Sequence, residues 1–119
     1  MSGRSEHVEQ REFVSWFRKS YPGVRIFAIP NGGLRNKLTA GKLKVEGVSA
    51  GVPDLFIPEW LVWIEMKTET KGKVSAQQKD WKDYLEKISH KVFICYGCEA
   101  AKNAITDLKG APANKDEES

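Results

Sequence analysis

Apolar residues recur along this chain with two different periods, and the period separates helices from strands. Over residues 5–20, Val8, Phe13, Val14, Trp16 and Phe17 stand among Glu, Gln and Arg, a spacing that fits one apolar stripe on a helix. Tyr21, Pro22 and Gly23 end it, because proline cannot extend a helix and disfavours helical geometry in the residue before it. Residues 24–29 read as a first strand. A long connection follows to Gly51, rich in glycine and basic residues, in which residues 34–43 are compatible with a short helix. Two strand-like runs come next, at 52–57 and 61–67, and then a polar loop to Val74. A second helix opens at Ser75 and carries Trp81, Leu85 and Ile88 at helical spacing. Residues 91–96 are β-rich, and 99–108 form a short amphipathic helix with Ala101, Ile105 and Leu108. The predicted order is αβ(loop)ββαβα, an α/β arrangement.

Three charges interrupt the paired runs: Asp54 in the first, Glu65 and Lys67 in the second. A hairpin closed at Pro58 and Glu59 pairs Ile57 with Trp60 and Asp54 with Trp63. Side chains alternate with period two, so Val52, Asp54, Phe56, Leu61, Trp63, Glu65 and Lys67 share one face. Pro53, Leu55, Ile57, Trp60, Val62, Ile64 and Met66 form an apolar opposite face that must be core. In this register Asp54 and Glu65 are diagonal neighbours, roughly 7–8 Å apart, close enough to grip one small cation. A loop of odd length would separate them.

With 119 residues and 40% hydrophobic content, the chain is long enough for one domain with a real core, and residues 1–109 are assigned to it. Residues 110–119 end in an acidic run and read as a disordered tail. No stretch approaches a membrane span or a secretory leader, which points to a cytosolic protein. The net charge of +3 says little by itself, but its distribution is uneven. Arg35, Lys37, Lys42 and Lys44 lie between Asn31 and Lys44 with no acid among them, on a glycine-rich connection able to follow a phosphate backbone. Asn31, Gly32 and Gly33 would let the main chain approach DNA, or simply make a turn.

Phosphodiester hydrolysis needs an activated water and neutralised phosphate charge, much of which a divalent metal supplies. Mg²⁺ or Mn²⁺ prefers oxygen ligands and keeps several waters, so Asp54 and Glu65 suit the role of ligands, with the Met66 carbonyl as a further one. Lys67, on the same face as Glu65, can orient the water and offset charge. The bland alternative is a surface Glu–Lys pair with Asp54 as a turn residue. Ser75 and Gln78 form a capping-box pair at the start of the second helix.

Gly51, Val52, Pro53 and Asp54, then Trp63 to Lys67, then Ser75 with Gln78, taken in that order with Pro30, Asn31, Gly32, Gly33 and Arg35 upstream, resemble the VRR-NUC (virus-type replication-repair nuclease) domain of the PD-(D/E)xK superfamily. The resemblance runs from about Glu6 to Ala104. It implies a restriction-endonuclease-like αβββαβ core with a central mixed sheet flanked by helices. It also implies Mg²⁺- or Mn²⁺-dependent endonuclease activity on DNA, catalytic Asp54, Glu65 and Lys67, and Gln78 at the site edge as well as in the cap. A further metal ligand on the first helix is implied, and both Glu6 and Glu9 qualify. Their spacing does not choose between them, whereas the family pattern of a Glu four residues before a Gln favours Glu6. Compact members of the family resemble Holliday-junction resolvases, which implies branched DNA and a homodimer, since paired nicks need two symmetric sites.

Two other classes compete. A non-catalytic DNA-binding module on the same fold would bind without turnover. Cys95 and Cys98 are spaced as in thiol oxidoreductases, but Cys95 sits in an apolar run and reads as a buried free thiol, while zinc would need a second ligand pair.

Overall fold

A computed structural model describes residues 5–30, 45–68 and 72–112. Helix α1 (Glu6–Ser20) begins where the Ser5 side chain accepts the Val8 N–H, and ends at Tyr21, whose N–H is donated to the Phe17 carbonyl. Strand β1 (Phe27–Ala28) follows, then β2 (Leu55–Ile57), a 3₁₀ turn (Pro58–Trp60), β3 (Val62–Lys67), α2 (Ala76–Lys87), β4 (Lys91–Tyr96) and α3 (Cys98–Lys109). Among the described residues this is an α/β fold of three helices on a mixed four-stranded sheet ordered β1-β2-β3-β4. The first two pairings are antiparallel. The third, reached through α2, is parallel, as a helical crossover requires.

The hairpin register differs from the one predicted. Leu55 pairs with Ile64, Phe56 with Trp63 and Ile57 with Val62, so Ile57 does not oppose Trp60 and Asp54 does not oppose Trp63. Two-residue hairpin turns need positive φ at their first central position, and proline is locked near −65°. The chain instead takes a 3₁₀ turn and places the left-handed residue at Leu61, with φ 55°. The slip is two residues, so the faces survive. Continued by one position, the observed register sets Asp54 directly opposite Glu65 rather than diagonal to it.

β1 is also shorter than residues 24–29. Its partner β2 is only three residues long, bounded by the 3₁₀ turn and by Pro53, which has no N–H for a ladder. Past the strand, Ile29 N–H still reaches the Asp54 carbonyl at 2.8 Å.

One face of the sheet is the core. Leu55, Ile57, Val62, Ile64 and Met66 are fully buried there with Phe13 and Phe17 of α1 and Ala101 and Ile105 of α3. Each large side chain so buried contributes roughly 1.5–3 kcal/mol. On the other face, α2 packs against β4. Beyond it Phe56 stacks on Trp63 with centroids 4.1 Å apart, and Trp63 Nε1 donates to His90 Nδ1 at 2.8 Å. The apolar turn end of this face is thereby closed, and its charged residues are confined to the opposite end. Residues 31–44 and 113–119, with the basic connection and most of the acidic tail, lie outside the described residues.

Candidate active site

β2 and β3 bring Asp54, Glu65 and Lys67 to one end of the sheet, and α2 adds Gln78. Glu65 and Lys67 are only 5% and 6% exposed, unusual for charged side chains. Lys67 Nζ donates to Gln78 Oε1 at 2.7 Å and to the Lys73 carbonyl at 2.9 Å, and stands 3.8 Å from Glu65 Oε2. Gln78 Nε2 donates to Glu65 Oε2 at 2.9 Å. The Gln78 amide therefore spans the acid and the amine. Its Oε1 also accepts the Ser75 N–H at 2.9 Å, while Ser75 Oγ accepts the Gln78 N–H at 3.1 Å. The capping box and the position at the site edge are met by one side chain.

Asp54 Oδ2 accepts the Met66 N–H at 2.8 Å. In a strand the N–H and C=O of one residue point the same way, so the Met66 carbonyl is directed toward the β2 side as well. Pro53 is its register partner and has no N–H to offer. A backbone acceptor thus ends the ladder beside two carboxylates.

Glu6 and Glu9 part company. Glu9 is 3% exposed and its Oε1 accepts the Cys98 N–H at 2.6 Å, bridging α1 to the start of α3. Gly97 precedes that helix and has no side chain to cap it, so the carboxylate of a neighbouring helix serves. Glu6 faces the cluster: its carboxyl is raised by burial and then by Asp54, with Lys67 opposing. Glu65 is pushed up to about 8, first by burial, next by Asp54, with Glu6 adding and Lys67 opposing. Glu65 Oε1 is buried with no hydrogen-bond partner. It can bond to Asp54 only when one of the two carries a proton.

A buried carboxylate with an orphaned oxygen and a partly buried one, beside a backbone carbonyl without a ladder donor, fit a hard divalent cation. Among the described residues no group of three or more His, Cys, Asp or Glu is arranged to hold a metal. Mg²⁺ does not need one, since it is commonly held by one or two carboxylates with waters and substrate phosphate.

Two contacts had little trace in the sequence. Gly72 lets the loop lie on Lys67, where an added Cβ would stand 2.7 Å from the Lys67 Cβ and Cδ. The Lys73 carbonyl is main chain and leaves no residue-type signature. Gly51, which the sequence did mark, has φ +93° and comes so close to α2 that a Cβ would be 2.5 Å from the Gln77 carbonyl carbon. Only glycine fits, and it anchors the segment entering Asp54. The cysteines show no activation: both are free and buried, with Cys95 pushed up to about 12 by burial and Cys98 raised for the same primary reason.

The two roles of Gln78 are separable. Ser75→Ala removes one cap acceptor and is expected to lower stability by about 1 kcal/mol at pH 5 and pH 8 alike. Gln78→Glu keeps a capping-box residue but turns a carboxylate toward Glu65, so its loss is expected to grow from pH 5 to pH 8. Urea unfolding at both pH values checks this; equal, pH-independent losses would reduce Gln78 to a cap.

No family model and no curated protein sequence matches the chain. Its structure does match: a solved "VRR_NUC domain protein" superposes with probability 1.00 and TM-score 0.77 at 22% identity, covering 94% of this chain and 98% of that one. In fold, over nearly its whole length, the chain is similar to a VRR_NUC domain protein, the family that its motifs resemble.

Proposed function

We propose that this chain is a divalent-metal-dependent DNA endonuclease built on a PD-(D/E)xK-type αβββαβ core, with residues 1–109 as one nuclease domain. The observation that carries it is the hydrogen-bonded cluster of Asp54, Glu65, Lys67 and Gln78 at the open end of the sheet, with Glu65 and Lys67 buried, within a fold shared with a VRR_NUC domain protein. Asp54, Glu65 and the Met66 carbonyl would hold Mg²⁺ or Mn²⁺. Glu6 faces them, whereas Glu9 is engaged with α3, so Glu6 is the helix residue we place at the site. When bound, the ion supplies positive charge that acidifies a water and offsets the phosphate.

The chain's own residues do the rest. Lys67 is fixed by two acceptors, which leaves its third N–H for the attacking water or a phosphate oxygen. Gln78 holds Lys67 and Glu65 at one distance from each other. Arg35, Lys37, Lys42 and Lys44, with Asn31, Gly32 and Gly33, are assigned to contact with the DNA backbone. A homodimer acting on branched DNA follows from the same resemblance and from the need for two symmetric nicks on a junction.

The test is cleavage of four-way junction, flap and linear duplex DNA. Chelation is expected to stop cutting and added Mg²⁺ or Mn²⁺ to restore it, with paired symmetric nicks on the junction and a dimeric mass by light scattering. Salt-sensitive binding without cleavage under any divalent cation would instead make the chain a non-catalytic binding module.

A further inference from the structure

A cleft of about 500 Å³ lies between α1 and the edge strand β1, and its walls carry a chemistry that the carboxylate cluster does not use. His7, Arg11, Val14 and Arg18 line it from the helix, and Phe27 and Ala28 from the strand. At 100° per residue these four helical positions fall on one stripe, with Arg11 and Arg18 about 10.5 Å apart along the axis. Among the described residues no acidic side chain lines it. Arg18 touches the Ile26 carbonyl only at 3.5 Å, so most of its guanidinium donors remain for a ligand. Phe27 contributes to the wall, but its ring meets Phe56 edge-on, with centroids 5.8 Å apart, on the sheet face away from α1.

The cleft and the cluster are built on neighbouring residues of the same elements. His7 follows Glu6, Leu55 in the wall follows Asp54, and the Asp54 carbonyl is held by Ile29 just past β1. Spaced guanidinium groups suit a phosphodiester chain, since their planar forks pair with phosphate. We propose that the cleft between α1 and β1 binds the sugar–phosphate backbone of a DNA strand on its way to the carboxylate cluster, with Arg11 and Arg18 as phosphate ligands. The proposal rests on the nuclease reading and adds contacts from residues other than those of the basic segment 31–44.

Fluorescence anisotropy of labelled duplex and single-stranded DNA, in chelator so that nothing is cut, tests it. Arg11→Ala with Arg18→Ala is expected to weaken duplex binding about tenfold and to reduce the slope of log K against log salt by about 1.8, the value for two lost phosphate contacts. Lys82→Ala, on α2 and paired with Glu86, is expected to leave both unchanged. Unaltered affinity and slope in the double variant, with the wild type still cutting DNA, would overturn the cleft assignment and leave the nuclease reading intact. A wild type that neither binds nor cuts DNA would overturn both. Tighter binding of poly-glutamate than of DNA, lost in the double variant, would give the cleft to an acidic peptide instead.

Discussion

Lys67→Met is expected to lower the rate of divalent-cation-dependent DNA cleavage by about 10²–10⁴-fold, the range for losing a group that positions or transfers a proton. Methionine keeps the unbranched stem that packs under Gly72. What disappears is the amine that bonds to Gln78 Oε1 and the Lys73 carbonyl and opposes the charge of Glu65. Lys67 is only 6% exposed, so it cannot supply much of the surface charge that attracts DNA from a distance. Affinity measured in chelator is therefore expected to stay near wild type while single-turnover cleavage collapses. A variant that cuts at the wild-type rate would remove Lys67 from the chemistry. One that loses affinity in proportion to rate would make it a binding residue.

Much of the geometry behind that expectation was legible in the residues. Alternation in β2 and β3 identified the face shared by Asp54, Glu65 and Lys67, and it survived a wrong turn because a two-residue slip conserves parity. The turn itself was misread through Pro58. Its fixed φ rules out the tight hairpin, a point about backbone angles that hydrophobic pattern does not encode. Spacing did not separate Glu6 from Glu9, since each shares a helical stripe with Phe13, and only the family pattern favoured Glu6. Gly97, a helix N-cap with no side chain, was the available hint that Glu9 would be drawn to α3. Gln78 was legible in both roles because both sets of partners lie within a few residues of fixed elements. Arg11 and Arg18 read only as a polar helix face, because the pattern that marks the first strand does not say that its edge lies along that face.

Without divalent cations, the protein is expected to lose stability as the pH rises from about 5 to about 8, and Glu65 is the reason. Its carboxyl is pushed up to about 8 by burial and by Asp54, from the ordinary value of 4.5 that it regains on unfolding. Between those values the folded chain holds a proton that the unfolded chain has released. The stabilisation is therefore complete below 4.5 and lost as the pH climbs through the folded value. For a buried carboxyl coupled to a second one, the effect is on the order of a few kcal/mol. Glu65→Gln cannot ionise, so it should flatten this dependence and melt above the wild type at pH 8. A divalent ion competes with protons for the same oxygens. Mg²⁺ or Mn²⁺ is accordingly expected to raise the wild-type melting temperature strongly at pH 8, weakly at pH 5, and not at all in Glu65→Gln. Thermal melts across this range, with chelator and with metal, read the coupling without any DNA present. Parallel curves for the two proteins under both conditions would mean that the buried acid exchanges neither proton nor cation, and the metal-dependent reading of the cluster would fall with it.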